Sequence, residues 1–310
     1  MAQFVLSRLL RALLTLLIIV TFAFFVLRLS GDPLNRFFDV GNTPAEVIEA
    51  FRRQWGLDQP IWIQFQKYIV SVLHGDLGSS MRENRPAVAV VLDHLPATLA
   101  IMLPTLVLKT VLGVAAGMVA ALYRNSIFDR LIMSISVLGF TVPTFVLALV
   151  LALIFAVQLR WLPSGGYSEP QHMILPVVTL SIAGAAVIAR YTRSAMVEVL
   201  GQPFVRAARA KGVPWTTIVT RHVLPNAAVP IVTIFGFMLG STVGGAVVVE
   251  SVFSWPGIGR LLVASVTARD LAVVQTILLL IGVMMVASNL LIDLLYGLID
   301  PRMRSQRATS

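Results

Sequence analysis

The chain has 310 residues, of which 57% are apolar and only 13% charged, with a formal net charge of +9. A soluble domain is ~45–50% apolar and ~25% charged, so a water-soluble globule, a disordered chain and a coiled coil are excluded and a polytopic membrane protein is left. Without cysteine, disulfides, zinc–thiolate sites and iron–sulfur clusters are excluded too.

Apolar runs near ~20 residues, the length a helix needs to cross hydrocarbon, predict six spans. The first is Leu9–Leu27. Its basic flank, Arg8 and Arg11, resembles a signal peptide. The apolar run is too long for one and no A-x-A site follows, so an uncleaved span is expected. Residues 30–96 form a long segment with helix punctuation of its own. Thr43-Pro44-Ala45-Glu46 reads as a capping box with proline at the first helical position. Gly56 suits a left-handed stop after Trp55. A second amphipathic helix, Trp62–Leu73, carries Trp62, Phe65, Tyr68 and Ile69 at helical spacing. This segment reads either as a helical cap or as a docking surface, with Asp39, Glu46, Glu49, Arg52, Arg53 and Lys67 as its spare charges.

The second span is Thr98–Leu122, and Lys109 lies near its middle. A charge there costs at least ~2.5–3.5 kcal/mol on insertion scales. It is either paired inside the bundle or lines a path for an anionic solute. The third run, Leu131–Leu159, contains Gly139 and Pro143 and predicts a kink. The fourth and fifth spans are Met173–Ala189 and Ala227–Val249. In the fifth, Gly236, Gly240, Gly244 and Gly245 predict close helix approach. Glu250 ends it, either capping the next loop through Arg260 or belonging to an outer gate. Trp255-Pro256-Gly257 reads as a rigid turn with its ring at the membrane interface. The sixth span is Leu271–Leu295. Only helices satisfy their own backbone in lipid without closing a barrel, so the fold class is an all-α membrane bundle.

Six spans put both termini on one side, and the basic residues choose it. The N-terminus, 123–130, 190–222 and the tail hold 13 basic residues against three acidic ones; the opposite loops hold ten against eleven. The positive-inside rule therefore places both termini in the cytoplasm. Topology thus explains the surplus charge, and no nucleic-acid partner is needed.

The loop between spans four and five, within 190–225, is too long for a linker. Phe204–Lys211 reads as a helix, Gly212 as its terminator and Pro214 as the start of another. In that second helix Trp215, Ile218, Val219 and His222 fall on one face. Ala207 and Ala208 leave a smooth surface for another protein. A phosphate-binding loop is absent: Lys67, Lys109 and Lys211 are the only lysines and none stands in G-x-x-x-x-G-K-[ST]. His74, His94, His172 and His222 are too far apart for a local metal motif. No catalytic residue is assigned.

Ala207, Ala208, Gly212, Leu224 and Pro225 match the loop signature of ABC import permeases. Arg206 and His222 depart from it, standing where the signature has glutamate and isoleucine. The surroundings resemble the dipeptide/oligopeptide/nickel branch: 206–212, 244–261, Gly31-Asp-Pro33, Gly56–Pro60, Gly75–Gly78 and Asp293–Pro301. The resemblance covers Phe4 to Arg302. It implies a type I permease bundle in the bacterial inner membrane: a first helix in 1–29, an extracytoplasmic segment in 30–96, a five-helix core in 97–302 and a tail in 303–310. It further implies a second homologous permease, two cytoplasmic ATPases that bind ATP and Mg, and an extracytoplasmic solute-binding protein. The chain itself binds no cofactor and is not an enzyme on this reading. Arg206, Ala207, Ala208, Arg209, Lys211, Gly212, Leu224 and Pro225 would form the ATPase-coupling loop. Lys109 and Glu250 would belong to the path or gate, and Arg52 and Arg53 to the binding-protein dock.

The implied cargo is a short peptide or a related solute, with glutathione or a nickel chelate as the alternative. His172–Pro176 and Arg124-Asn125 look like glutathione-importer permeases. The rival from another class is a secondary transporter without ATPases, which has no use for the structured basic loop. An intramembrane enzyme would need a carboxylate pair or nucleophile within the spans, and none is visible.

Overall fold

A computed structural model describes residues 2–29, 31, 34 and 43–299. Asp32, Pro33 and Asp39, and the ending from Asp300 onward, lie outside the described residues. Among those described the chain is helical, and the sole β feature is an isolated bridge between Ser79 and Pro86. The helices are α1 Ala2–Leu29, α2 Ala45–Gln54, α3 Ile61–Leu73, α4 Ala87–Leu122, α5 Ile127–Thr141, α6 Thr144–Ala152, α7 Ile174–Leu200, α8 Pro203–Ala210, α9 Leu224–Val252, α10 Ile258–Ala268 and α11 Leu271–Ile299. Among the described residues, five uninterrupted stretches are long and apolar enough to cross a membrane: Leu10–Leu29, Ala87–Leu122, Pro170–Leu200, Trp215–Leu239 and Leu271–Leu290. The sixth is broken. The pair Ile127–Thr141 and Thr144–Gln158 is bent by 102°.

That break is sharper than the expected kink, and Pro143 accounts for it. A residue before proline is driven out of the α region, and Val142 is extended at φ −72°, ψ 122°. Pro143 (φ −56°, ψ 139°) then offers its carbonyl to the amides of Val146 and Leu147, which starts α6 afresh.

The chain divides into two compact units, one of 2–98 with 256–284, the other of 99–255 with 285–299. In the first, the aromatic face of α3 packs on α1. Phe24 meets Phe65 and Tyr68 at 5.1 and 5.4 Å between centroids, and Phe25 meets Trp62 at 5.5 Å. Such pairs add ~0.5–1.5 kcal/mol each beyond area burial. The expected capping box does not form. Pro44 is itself the extended N-cap and no side chain caps α2, so the helix begins one residue later than expected. The Gly56 stop does form, at φ +64°, with the Gly56 amide on the Arg53 carbonyl and the Leu57 amide on that of Arg52. A further core gathers Ala87, Val90, Val91, Ile258, Val273 and Ile277. Helix α10, which supplies Ile258, lies in what the sequence presented as a loop.

In the second unit α7 is the most buried helix, and α4 approaches it through glycines. A Cβ on Gly113 would stand 2.6 Å from that of Ile188, and one on Gly117 would stand 2.5 Å from the Ala189 carbonyl oxygen. Of the close approach expected in the fifth span, Gly245 shows an ordinary van der Waals contact with α7 and Gly244 shows none. Nothing lies within 4 Å of a Gly244 Cβ, and at Gly245 the Leu180 side chain is at an ordinary 3.5 Å. Trp255 also departs from expectation. Its ring is 1% exposed rather than interfacial, and meets Tyr167 edge-on at 4.8 Å.

Candidate coupling loop and membrane cavity

Helix α8 is short and strongly two-faced. Val205 is buried and Ala208 half-buried, while Arg206, Ala207, Arg209 and Lys211 are exposed. Lys211 caps its C-terminus, and Gly212 follows at φ +76°. The Gly212 amide donates to the Arg209 carbonyl (2.9 Å) and the Val213 amide to that of Ala208 (3.2 Å). This is a Schellman stop, in which Gly212 takes a backbone conformation that a side chain would strain. The Arg209 guanidinium lies 4.0 Å from the centroid of the Trp215 ring, stacking the two sides of the turn together.

After Pro214 the chain makes one short turn, Trp215–Thr217, and then a π-helical segment, Ile218–Val223. The wider turn shifts the face. Ile218, Val219 and Val223 are buried, whereas Trp215 and His222, which α-helical spacing put with them, are exposed. In a π turn residues five apart stack, so Val223 replaces His222 beneath Ile218. These residues share one core with Val205, Ala121, Ala195, Met196 and Ala227, against which Ala208 and Val213 also pack. Leu224 and Pro225 open α9 directly from this segment. The loop is therefore a packed body with an exposed, basic, small-residue ridge, centred on Ala207.

Deeper in the same unit a cavity of about 270 Å³ opens beside the broken span. Lys109, Gly139, Pro143, Thr144, Gly184 and Met238 are among its lining residues. Lys109 is 3% exposed, and its Nζ donates to the Met238 carbonyl at 3.2 Å. Gly184 makes room for the lysine stem, since a Cβ there would stand 2.6 Å from Lys109 Cδ. Glu250 is fully buried near the end of α9, and its backbone carbonyl accepts from the Trp255 amide at 2.8 Å. The sequence placed Lys109 and Glu250 one by one; it did not reveal the cavity, which needs the break at Pro143.

Elsewhere Arg53 is exposed on α2, while Arg52 is half-buried and paired with Glu49 at 3.5 Å. Sequence reasoning missed the buried carboxylate of Asp129, which α5 and α7 share through Arg193.

Two family models match this chain. One, the binding-protein-dependent transport system inner membrane component, covers residues 113–305, and its N-terminal companion covers 1–102. The chain is 44% identical over 305 residues to the glutathione transport system permease protein GsiC of Escherichia coli (strain K12), covering 98% of this chain and 99% of that protein. GsiC of Salmonella paratyphi A is equally similar. Among solved structures, the inward facing MetNI methionine ABC transporter gives a TM-score of 0.59 at 20% identity, over 69% of this chain and 97% of that one. A crystallised amino acid ABC transporter gives 0.51 at 22% identity, over 67% and 93%. These likenesses carry the fold; the family follows from the sequence matches. The chain belongs to the binding-protein-dependent transport system inner membrane components and is a permease subunit of an ABC importer in the inner membrane.

Proposed function

We propose that this permease imports glutathione or a short peptide of similar charge, and that Lys109 meets an anionic group of the cargo on its way through the membrane. The observation that carries the reading is a lysine buried beside a cavity where a span is broken. A charge kept at that depth despite its insertion cost is retained for a purpose. Glutathione carries two carboxylates and one ammonium, so its net negative charge suits a single lysine. The similarity to GsiC supports the same cargo class.

In the assembly we infer, a second homologous permease completes the path. Two ATPases holding ATP and Mg receive the ridge of Arg206, Ala207, Arg209 and Lys211, with Gly212, Leu224 and Pro225 fixing its geometry. Both termini face the cytoplasm and residues 30–96 face outward. There Arg53, with Arg52 behind it, contributes to docking of a solute-binding protein, and Glu250 belongs to the outer gate. The test is uptake into proteoliposomes holding the whole importer. Lys109→Met lowers glutathione uptake about tenfold, one charge-assisted contact, and spares a C-terminally amidated dipeptide, which carries no carboxylate. Lys109→Arg retains part of the activity. Equal loss for both cargoes, or none for either, overturns the reading.

A further inference from the structure

The first unit holds a separate cavity of about 230 Å³, far along the sequence from the coupling loop and from Lys109. Its lining includes Arg28, Lys67, Tyr68, Asp76 and Gln275. Among the described residues two donors there are buried without a partner, Nη1 of Arg28 and Nε2 of Gln275. Gln275 is only 5% exposed. The Arg28 guanidinium is held in place on its other sides: Nε donates to Gln64 Oε1 at 2.7 Å, and the Phe24 ring lies 3.8 Å beneath. Gln64 in turn donates to the Gln59 carbonyl. A buried donor left unpaired loses its water without gaining a partner, so two on one cavity call for an acceptor that fills it. Asp76, the one acidic residue of this lining, already accepts the Gly78 amide at 2.9 Å.

The position says what kind of acceptor. Arg28 is the next-to-last residue of the apolar stretch Leu10–Leu29, and Gln275 lies in the second turn of Leu271–Leu290. Both therefore sit where hydrocarbon gives way to headgroups. Neighbouring side chains on α1 and α3 are apolar and open: Leu29 is 77% exposed, Val70 54% and Leu73 79%. A ligand here needs an anionic oxygen for the cavity and an apolar tail for the flanks. Burial pushes the Tyr68 phenol up to about 12, so it stays a neutral hydroxyl at the cavity wall.

We propose that this cavity binds the phosphate of a phospholipid headgroup, with Arg28 and Gln275 as its donors and Lys67 at its rim. The occupied site ties α1 to α11 and α3 in a lipid-dependent way. It is independent of the cargo reading, since Lys109 takes no part.

The experiment is thermal melting of the full-length chain in detergent. The probes are phosphatidylethanolamine, phosphatidylglycerol, diacylglycerol and inorganic phosphate. Both phospholipids raise the midpoint in a concentration-dependent manner, and diacylglycerol and inorganic phosphate do not. Gln275→Leu removes an unpaired donor, so its lipid-free midpoint is equal or higher, while half-maximal stabilisation needs about tenfold more lipid. Arg28→Gln shows the same loss if it folds, and Gln275→Leu decides the matter if it does not. A shift from diacylglycerol as large as from phospholipid, one from inorganic phosphate alone, or an unchanged lipid response in Gln275→Leu overturns the proposal. The absence of any lipid response overturns it too, and leaves ordinary water as the occupant.

Discussion

Arg193 grips Asp129 with both arms of its guanidinium: Nε donates to Oδ1 at 2.6 Å and Nη2 to Oδ2 at 2.7 Å. The carboxylate also accepts the Asn125 amide at 2.9 Å, and the Ser126 hydroxyl accepts the Asp129 amide, which caps α5. Asp129 is 4% exposed, so removing its partner strands a buried charge. Arg193→Ala is expected to cost about 2–3 kcal/mol, at the low end for buried pairs because the arginine is partly solvated. Lysine cannot reproduce the fork, so Arg193→Lys recovers only part of the loss. Thermal melting of the purified chain measures both.

Contact between α4 and α7 depends on the absence of side chains at two positions. Gly117→Ala drives a methyl against the Ala189 carbonyl and Thr192. It is expected to destabilise by about 1–3 kcal/mol, and Gly117→Leu to prevent assembly. Gly244→Ala meets nothing within 4 Å, and its stability stays within about 0.5 kcal/mol of the parent. Equal effects at the two glycines would contradict the packing described.

The two alanines of the coupling loop are not equivalent. Ala207→Glu places a charge on the exposed ridge. It is expected to leave the melting midpoint unchanged and to separate ATP hydrolysis from transport in the reconstituted importer. Ala208→Glu points the same charge toward the core shared with Val205 and Ile218, so it lowers stability by about 1–3 kcal/mol before any functional reading. Normal transport by Ala207→Glu would remove the ridge from the ATPase interface.

For the proposed docking of a binding protein, Arg53→Glu is the cleaner variant, since Arg52→Glu also breaks the pair with Glu49. The binding-protein concentration that half-saturates ATPase stimulation is expected to rise several-fold at low salt. The difference shrinks as ionic strength approaches ~1 M, where screening reaches ~3 Å. Basal hydrolysis stays the same.

Much of this was legible in residue order alone. The spans follow from length and hydropathy, and the Schellman stop from a glycine after a basic helix. An extended residue before a proline, Val142 before Pro143, marks the break. What escaped the sequence was contact between distant positions. Gly113 and Gly117 are as unremarkable in print as Gly244; which of them presses on a neighbouring helix depends on rotation about the helix axis, and a nearly uniformly apolar span carries no stripe to fix that rotation. The π segment was hidden because its one extra residue per turn leaves composition untouched, and it exchanged Val223 for His222 in the core. Asp129 and Arg193, 64 residues apart, read as two ordinary loop charges. Helix α10 went unseen because an 11-residue apolar helix is too short to count as a span.

The shared core under the coupling loop has a mechanical consequence. A slack tether can only pull, and only once taut. Because Val205 shares one core with Ile218, Val219, Val223, Ala195 and Met196, α8 behaves as a strut, passing push and twist as well as pull to the adjoining ends of α7 and α9. Its stiffness, more than its affinity for a neighbour, then sets how much of a stroke arrives at the membrane. Glycines inserted between Gln202 and Gly201 would soften the strut while leaving its surface chemistry intact, so binding of the motor would survive and the work delivered per stroke would fall.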